Sequence, residues 1–295
     1  MHQEDITKSS TMSPNSKTRY LVDTRTVQTG EGAQPLQVIC GGLPRCATSS
    51  LQAALEGPLL DFNPCMHMAH VAPHTDRLQL VIDCMREADT ARRQKMLHRL
   101  FDGYAATTDF PGIMFLEDLM DMYPSAAIVL NTRSDARAWV RSIEDGLGFF
   151  NSYAYRISCF LWKTDRLHAV IQNEARKIYK RQYGERMKFP SVEAYYEHIE
   201  VVKEQARKRG RPLLEWRPQD GYCPLCELLG RPPPPEGTEF PRLNDQSVIN
   251  FLKTVLVVRG LVSWAALGGA LWVGWTYGPQ LLQTVAKAGK LKWKS

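Results

Sequence analysis

Charge is missing from one long stretch of this chain. Between residues 260 and 286 there is no Asp, Glu, Lys or Arg. A solvated surface helix carries a polar face, so that class of helix is excluded there. Residues 261–277 are Leu, Val, Ala, Gly and Trp, with Ser263 and Thr276 as the polar interruptions and Tyr277 at the end. An uncharged apolar run of about 18 residues or more points to a membrane span. Trp264, Trp272, Trp275 and Tyr277 are candidate interfacial aromatics. A buried core helix and an in-plane amphipathic anchor are the competing readings. Other absences narrow the class further. Residues 1–34 hold no apolar h-region, so a secretory signal is not expected. Their Ser, Thr, Gln and charge content suits a disordered tail. The seven cysteines are an odd, scattered set, which favours free thiols in a reduced compartment over a disulfide framework. Cys223 and Cys226 have half-zinc spacing, but no second Cys or His pair follows. No metal site is therefore expected, and these are read as structural thiols. The net charge of +6 suits an anionic small molecule. Without an aromatic-interleaved basic stripe, no nucleic-acid partner is expected.

What is present is a phosphate cradle. Residues 36–40 are an apolar strand pattern, and they lead into Gly41-Gly42-Leu43-Pro44-Arg45-Cys46-Ala47-Thr48-Ser49-Ser50. A short Gly-Pro-basic loop between a strand and a helix start presents backbone N–H groups and partial positive charge to an anion. Small hydroxyl residues at the helix start can cap it or donate to phosphate oxygens. The loop lacks the Gly-Lys-Ser/Thr sequence that holds magnesium nucleotides in triphosphatases. An ordinary capped strand-turn-helix is the plainer alternative.

A second anion signature lies downstream. Residues 127–131, Ala-Ile-Val-Leu-Asn, are a continuous apolar run as expected of a buried parallel strand. Arg133 follows it, with Trp139 and Ser142 beyond. An arginine at a strand end and a serine on the next helix can grip one phosphate from two sides. Strand and helix patterns alternate from residue 36 to 216, with short strands at 62–68, 104–109 and 212–216. Helical patterns fill 78–101, 113–122, 135–143 and 163–210. That alternation predicts an α/β fold with a doubly wound parallel sheet.

Taken together, these stretches resemble the sulfotransferase-like family abundant in filamentous fungi. Gly42, Leu43, Pro44, Arg45, Thr48, Ser50 and Leu51 match its 5′-phosphosulfate loop, with Cys46 in place of the usual Thr and Ala47 in place of the usual Gly. Arg133, Trp139 and Ser142 match its 3′-phosphate pattern. Pro64-Cys65-Met66-His67-Met68, Asp109-Phe110-Pro111, Leu213-Leu214-Glu215-Trp216, Pro224-Leu225-Cys226 and Phe240-Pro241-Arg242 match further blocks in order. The resemblance spans about residues 35–250. It implies a P-loop sulfotransferase fold and PAPS (3′-phosphoadenosine-5′-phosphosulfate) as sulfuryl donor, with no metal. By the same resemblance Gly42, Arg45, Cys46, Ala47, Thr48, Ser49 and Ser50 hold the 5′-phosphate. Arg133, Ser142 and Arg242 hold the 3′-phosphate.

Four segments are expected: a tail over 1–34, a sulfotransferase-like domain over 35–250, a membrane-anchoring helix over 255–279, and a basic tail over 280–295. Arg45 is the candidate for charge on the bridging oxygen. Deprotonating an acceptor hydroxyl needs a base within hydrogen-bond reach, and Asp109 and His67, each after a strand pattern, are the candidates. The anchor suggests a small, lipophilic acceptor and a single-pass protein with its domain in the cytosol. Two other functions compete. A kinase would use residues 113–118, apolar then acidic, as a metal-bearing strand. A catalytically silent membrane scaffold or biosynthetic accessory protein would use neither nucleotide.

Overall fold

The structure is a computed structural model that describes residues 17–22, 27, 33–243 and 245–292, the side chains of the last helix being described over 246–280. Five strands form its centre: β1 (Val38–Cys40), β2 (Cys65–Met66), β3 (Ala106–Thr107), β4 (Ala127–Asn131) and β5 (Leu213–Trp216). Their spatial order is β2-β3-β1-β4-β5, and every neighbouring pair is parallel. The chain builds one side of β1 first and then crosses to build the other. Strand periodicity sorts the core. Ile39, Ile128 and Leu130 belong to one apolar cluster, and Val38, Cys40 and Val129 belong to the cluster on the opposite face.

Helices cover both faces. They are α1 (Thr48–Glu56), α2 (Thr75–Arg86), α3 (Thr90–Phe101), α4 (Leu116–Met122), α5 (Ala136–Leu147), α6 (Tyr153–Ser158), α7 (Lys163–Tyr183), α8 (Val192–Lys208), α9 (Cys223–Leu228) and α10 (Asp245–Lys292). The 78–101 pattern divides in two because Asp89 caps a new helix, accepting from the Arg92 amide at 2.8 Å. The 113–118 segment is a short 3-10 turn, Gly112–Phe115, running into α4. It therefore offers no metal-bearing strand, and its Asp118 is paired with Arg93 at 2.7 Å.

Two of the expected segments meet the described residues in part. Most of the 1–34 segment lies outside the described residues, but residues 17–22 form a turn packed on the domain. Arg19 is buried there with its guanidinium on the Gln52 side chain. The apolar C-terminal helix starts at Asp245 rather than near 255, with no break at the expected domain edge, and it runs through Pro279. Within it, Gln246–Gln280 is long and apolar enough to cross a membrane by length and composition. Its first turns are not free. Ile249, Leu252 and Leu256 pack with Phe150, Tyr155 and Cys159 in a third apolar cluster. The side chains expected to form the basic tail lie outside the described residues.

Candidate functional site

Four parallel strands end on the same side of the sheet, and each delivers part of one site. Ligands in open α/β sheets sit at these carboxyl ends. The loop after β1 carries Arg45, β2 is followed by His67, β3 by Asp109, and β4 by Arg133. Arg45, Ala47 and Asp109 all have left-handed backbone, with φ of 69°, 57° and 65°. A non-glycine residue at such a φ costs about 1–3 kcal/mol and persists where its surroundings enforce it. Only one other described non-glycine residue, Asp61, shares this conformation, so the strain is concentrated here.

The phosphate-type loop is held from below by Asn131, the last residue of β4. Its Oδ1 accepts from the Gly42 amide at 3.0 Å, and its Nδ2 donates to the Cys46 carbonyl at 2.9 Å. The approach is so close that a Cβ on Gly42 would lie 2.0 Å from the Asn131 carbonyl oxygen. The Trp139 indole donates to the Pro44 carbonyl at 2.9 Å, and Arg133 donates to the Arg45 carbonyl at 3.2 Å. His198 supports the loop's root, its Nε2 donating to the Gly41 carbonyl at 2.7 Å. Burial holds His198 well below the usual imidazole range, at about 4, so it is neutral.

Helix α1 begins at this loop with Ala47 as its N-cap, a residue with no side-chain acceptor to offer, and with no acidic residue in its first turn. The first N–H groups of a helix have no intrahelical partner. Here Ala47 offers them no side-chain cap, and the positive end of the helix dipole favours an anion. Thr48 and Ser49 are buried at this helix start and line a cavity of 730 Å³. Arg45, Asp109, Tyr20, Leu147, Tyr155 and Leu256 are among its other lining residues. The cavity is thus anionic-ligand chemistry at one end and largely apolar wall beyond.

A profile of the sulfotransferase domain matches residues 37–249. The chain belongs to this sulfotransferase family. It is also similar to the Ava biosynthesis cluster protein M of Aspergillus versicolor, being 27% identical over 226 residues, which is 70% of this chain and 80% of that protein.

On this sulfotransferase scaffold the candidate residues fall into groups. Arg45, Thr48, Ser49 and Asp109 meet at the cavity. Ser142, on α5, accepts from Arg45 Nε at 3.1 Å, and Arg45 also reaches the Gln246 side chain of α10 at 3.1 Å. His67 Nε2 lies 3.5 Å from both Ser49 Oγ and Asp109 Oδ2. Its Nδ1 accepts from the Ala69 amide at 3.2 Å, so in neutral His67 the proton sits on Nε2 and points toward those two oxygens.

Three candidates have side chains set apart from the cavity wall. Cys46 turns its thiol into the core, where burial pushes it up to about 12, so its side chain packs rather than binds. Ser50 Oγ accepts from the Leu243 amide at 3.1 Å, which ties the helix start to the segment before α10 and leaves its O–H to donate. Arg242 is exposed beside that tie and is not part of the cavity wall. Sequence reasoning missed Asn131, His198 and Gln246. Asn131 alone left a trace, as a polar residue closing an otherwise apolar strand.

Proposed function

We propose that this chain transfers a sulfuryl group from PAPS to a hydroxyl of a lipophilic small molecule. One observation carries the reading. Arg45, a strained loop and an uncapped helix start converge at one end of a 730 Å³ cavity whose remaining wall is largely apolar, with Arg133 behind them on the Arg45 carbonyl. The residues fit an anionic donor, because Ala47 gives the helix no cap and Gly42 lets the loop lie flat on β4. PAPS, when bound, supplies the sulfuryl group and departs as the 3′,5′-bisphosphate.

The chain's own residues divide the remaining work. The loop amides, the α1 start, Thr48 and Ser49 hold the 5′-phosphate end. Arg133 and Ser142 hold the 3′-phosphate, with Arg242 at the rim. Arg45 stabilises charge that develops on the bridging oxygen, where a preorganised cation is most effective. Asp109 takes the acceptor's proton. His67 donates from Nε2 toward Asp109 and holds that carboxylate in place, which makes it a positioning residue. Metal is not invoked, since basic side chains neutralise the charge. The uncharged, exposed part of α10 anchors the chain in a membrane by a single pass, with the domain on the cytosolic side.

The test is a thermal-shift panel on the full chain in detergent with PAPS, the 3′,5′-bisphosphate, adenosine phosphosulfate and magnesium ATP. The first two should stabilise most. Arg133→Ala should weaken PAPS by about 10- to 100-fold, from loss of a charged contact worth about 1.5–3 kcal/mol. It should scarcely change adenosine phosphosulfate. Preference for magnesium ATP would establish a kinase-type site, and no response to any nucleotide would establish a scaffold.

A further inference from the structure

The domain carries an exposed apolar patch at the edge of the cavity. It lies on α6 and the turn that follows. Tyr155 and Cys159 point inward to the third cluster. Tyr153, Ile157, Phe160 and Trp162 point outward and are 82%, 65%, 56% and 40% exposed. Four large apolar side chains within ten residues are unfavourable on a surface that meets only water.

The patch is fixed against α10 where that helix leaves the domain. The Trp264 indole donates to the Ile157 carbonyl at 2.9 Å, and the Trp162 indole donates to Ser263 Oγ at 3.0 Å. Between these ties, a Cβ on Gly260 would lie 2.3 Å from the Ser158 carbonyl oxygen, so the two backbones touch. From Leu261 onward α10 exposes its own apolar side chains, among them Leu261, Val262, Leu267 and Leu271. The patch is therefore continuous with the stretch read as a span. Cations flank it. Lys163 and Arg166 are exposed, and the Arg166 guanidinium lies over the Phe160 ring, 5.6 Å from its centroid. Aromatics with a polar edge, set beside cations, match the chemistry of the headgroup boundary.

We propose that α6 and the turn to α7 are embedded in the boundary between lipid headgroups and acyl chains. The bilayer then touches the domain at two places, the α10 span and this patch. Trp162 belongs to both the patch and the cavity wall, so the same contact brings that end of the cavity to the lipid surface. The inference rests on the reading of α10 as a membrane span.

The experiment uses the full chain reconstituted in phosphatidylcholine vesicles, with Cys223→Ser removing the one exposed cysteine among the described residues. An environment-sensitive fluorophore is attached through Phe160→Cys, through Tyr153→Cys as a second patch position, through Leu271→Cys in the span, and through Tyr196→Cys on α8 as an aqueous control. Quenching by lipids with a doxyl group near the headgroup or deep in the chains is compared with quenching by aqueous iodide. Both patch labels should be quenched about twofold more by the shallow doxyl than by the deep one, as fits a group about 5–10 Å into the boundary. Leu271 should favour the deep doxyl and Tyr196 should answer to iodide. Patch labels that answer to iodide while Leu271 meets lipid would overturn the inference and leave the span standing. Patch labels shielded from both quenchers would also overturn it, since another protein surface, such as a second copy, then covers them. If Leu271 meets no lipid, the span reading fails and this inference fails with it.

Discussion

Replacing Gly42 by alanine tests whether the loop's shape comes from its contact with β4. The added Cβ would lie 2.0 Å from the Asn131 carbonyl oxygen, and 2.4 and 2.5 Å from its side-chain Cγ and Nδ2. The first of these is backbone in the interior of a parallel sheet and cannot swing aside. The loop must lift instead. Lifting breaks both side-chain bonds of Asn131, to the Gly42 amide and the Cys46 carbonyl. Each is worth about 1 kcal/mol, and residual overpacking adds about 1–3 kcal/mol. The sum is a loss of about 3–5 kcal/mol, which lowers the melting midpoint of a domain this size by about 6–20 °C. Gly148→Ala is the matched control, because its added Cβ meets nothing within 4 Å. It should stay within about 2 °C of wild type, as surface changes do. Melting of the full chain in one detergent, followed by near-ultraviolet dichroism, reads both variants. A Gly42→Ala protein that melts with the control would refute the argument that close approach sets this loop.

Three other changes address the site from different sides. Arg45→Ala should cost about 1–2 kcal/mol of stability, from two partly exposed hydrogen bonds, yet lower turnover with an identified acceptor by about 100-fold or more; retained turnover would remove Arg45 from the chemistry. Ala47→Gly should raise stability by about 1 kcal/mol, since glycine adopts the φ of 57° without the left-handed penalty, and a lower denaturation midpoint would contradict that backbone. Burial lowers the folded-state pKa of His198 from 6.5 to about 4. As pH falls through 6.5 the unfolded chain takes up a proton that the folded chain refuses, so the stability present above that pH is lost toward pH 4, at up to about 1.4 kcal/mol per pH unit. Against wild type, His198→Gln, which keeps a donor for the Gly41 carbonyl, should show a shallower decline in urea midpoint over that window, and parallel declines would mean that His198 is charged in the folded protein.

The strands that are buried on both faces were legible because burial leaves them uniformly apolar, and residues 127–131 show it most clearly. The Arg-Trp-Ser spacing after β4 was legible because one strand end and one helix carry it. The replacement at residue 47 was legible as well, since the position has the backbone that glycine serves best. The cavity was not. Its wall gathers α7 residues such as Asp165 and His168, the start of α10, and residues 20 and 21 from a segment that reads as tail. No periodicity within one element announces a surface that several distant elements share. The inward turn of the Cys46 thiol was not legible for a related reason, because a residue inside a binding motif can face either the ligand or the core, and spacing does not say which. The expected anchor, 255–279, lies inside α10, whose earlier turns carry Asp245 and Lys253 and place Ile249, Leu252 and Leu256 against Tyr155 and Cys159.

Helix α10 is at once a wall of the cavity, through Ile249, Leu252, Leu256 and Arg259, and the stretch that leaves the domain. No linker separates these tasks. One inserted residue near position 260 would rotate everything beyond it by about 100° and advance it by about 1.5 Å. On the proposed reading, anchoring and the shape of the pocket thus share one rod. Exchanging the distal half for a foreign anchor would tilt the domain without touching its chemistry, whereas a cut before residue 259 would open the pocket it meant only to set free.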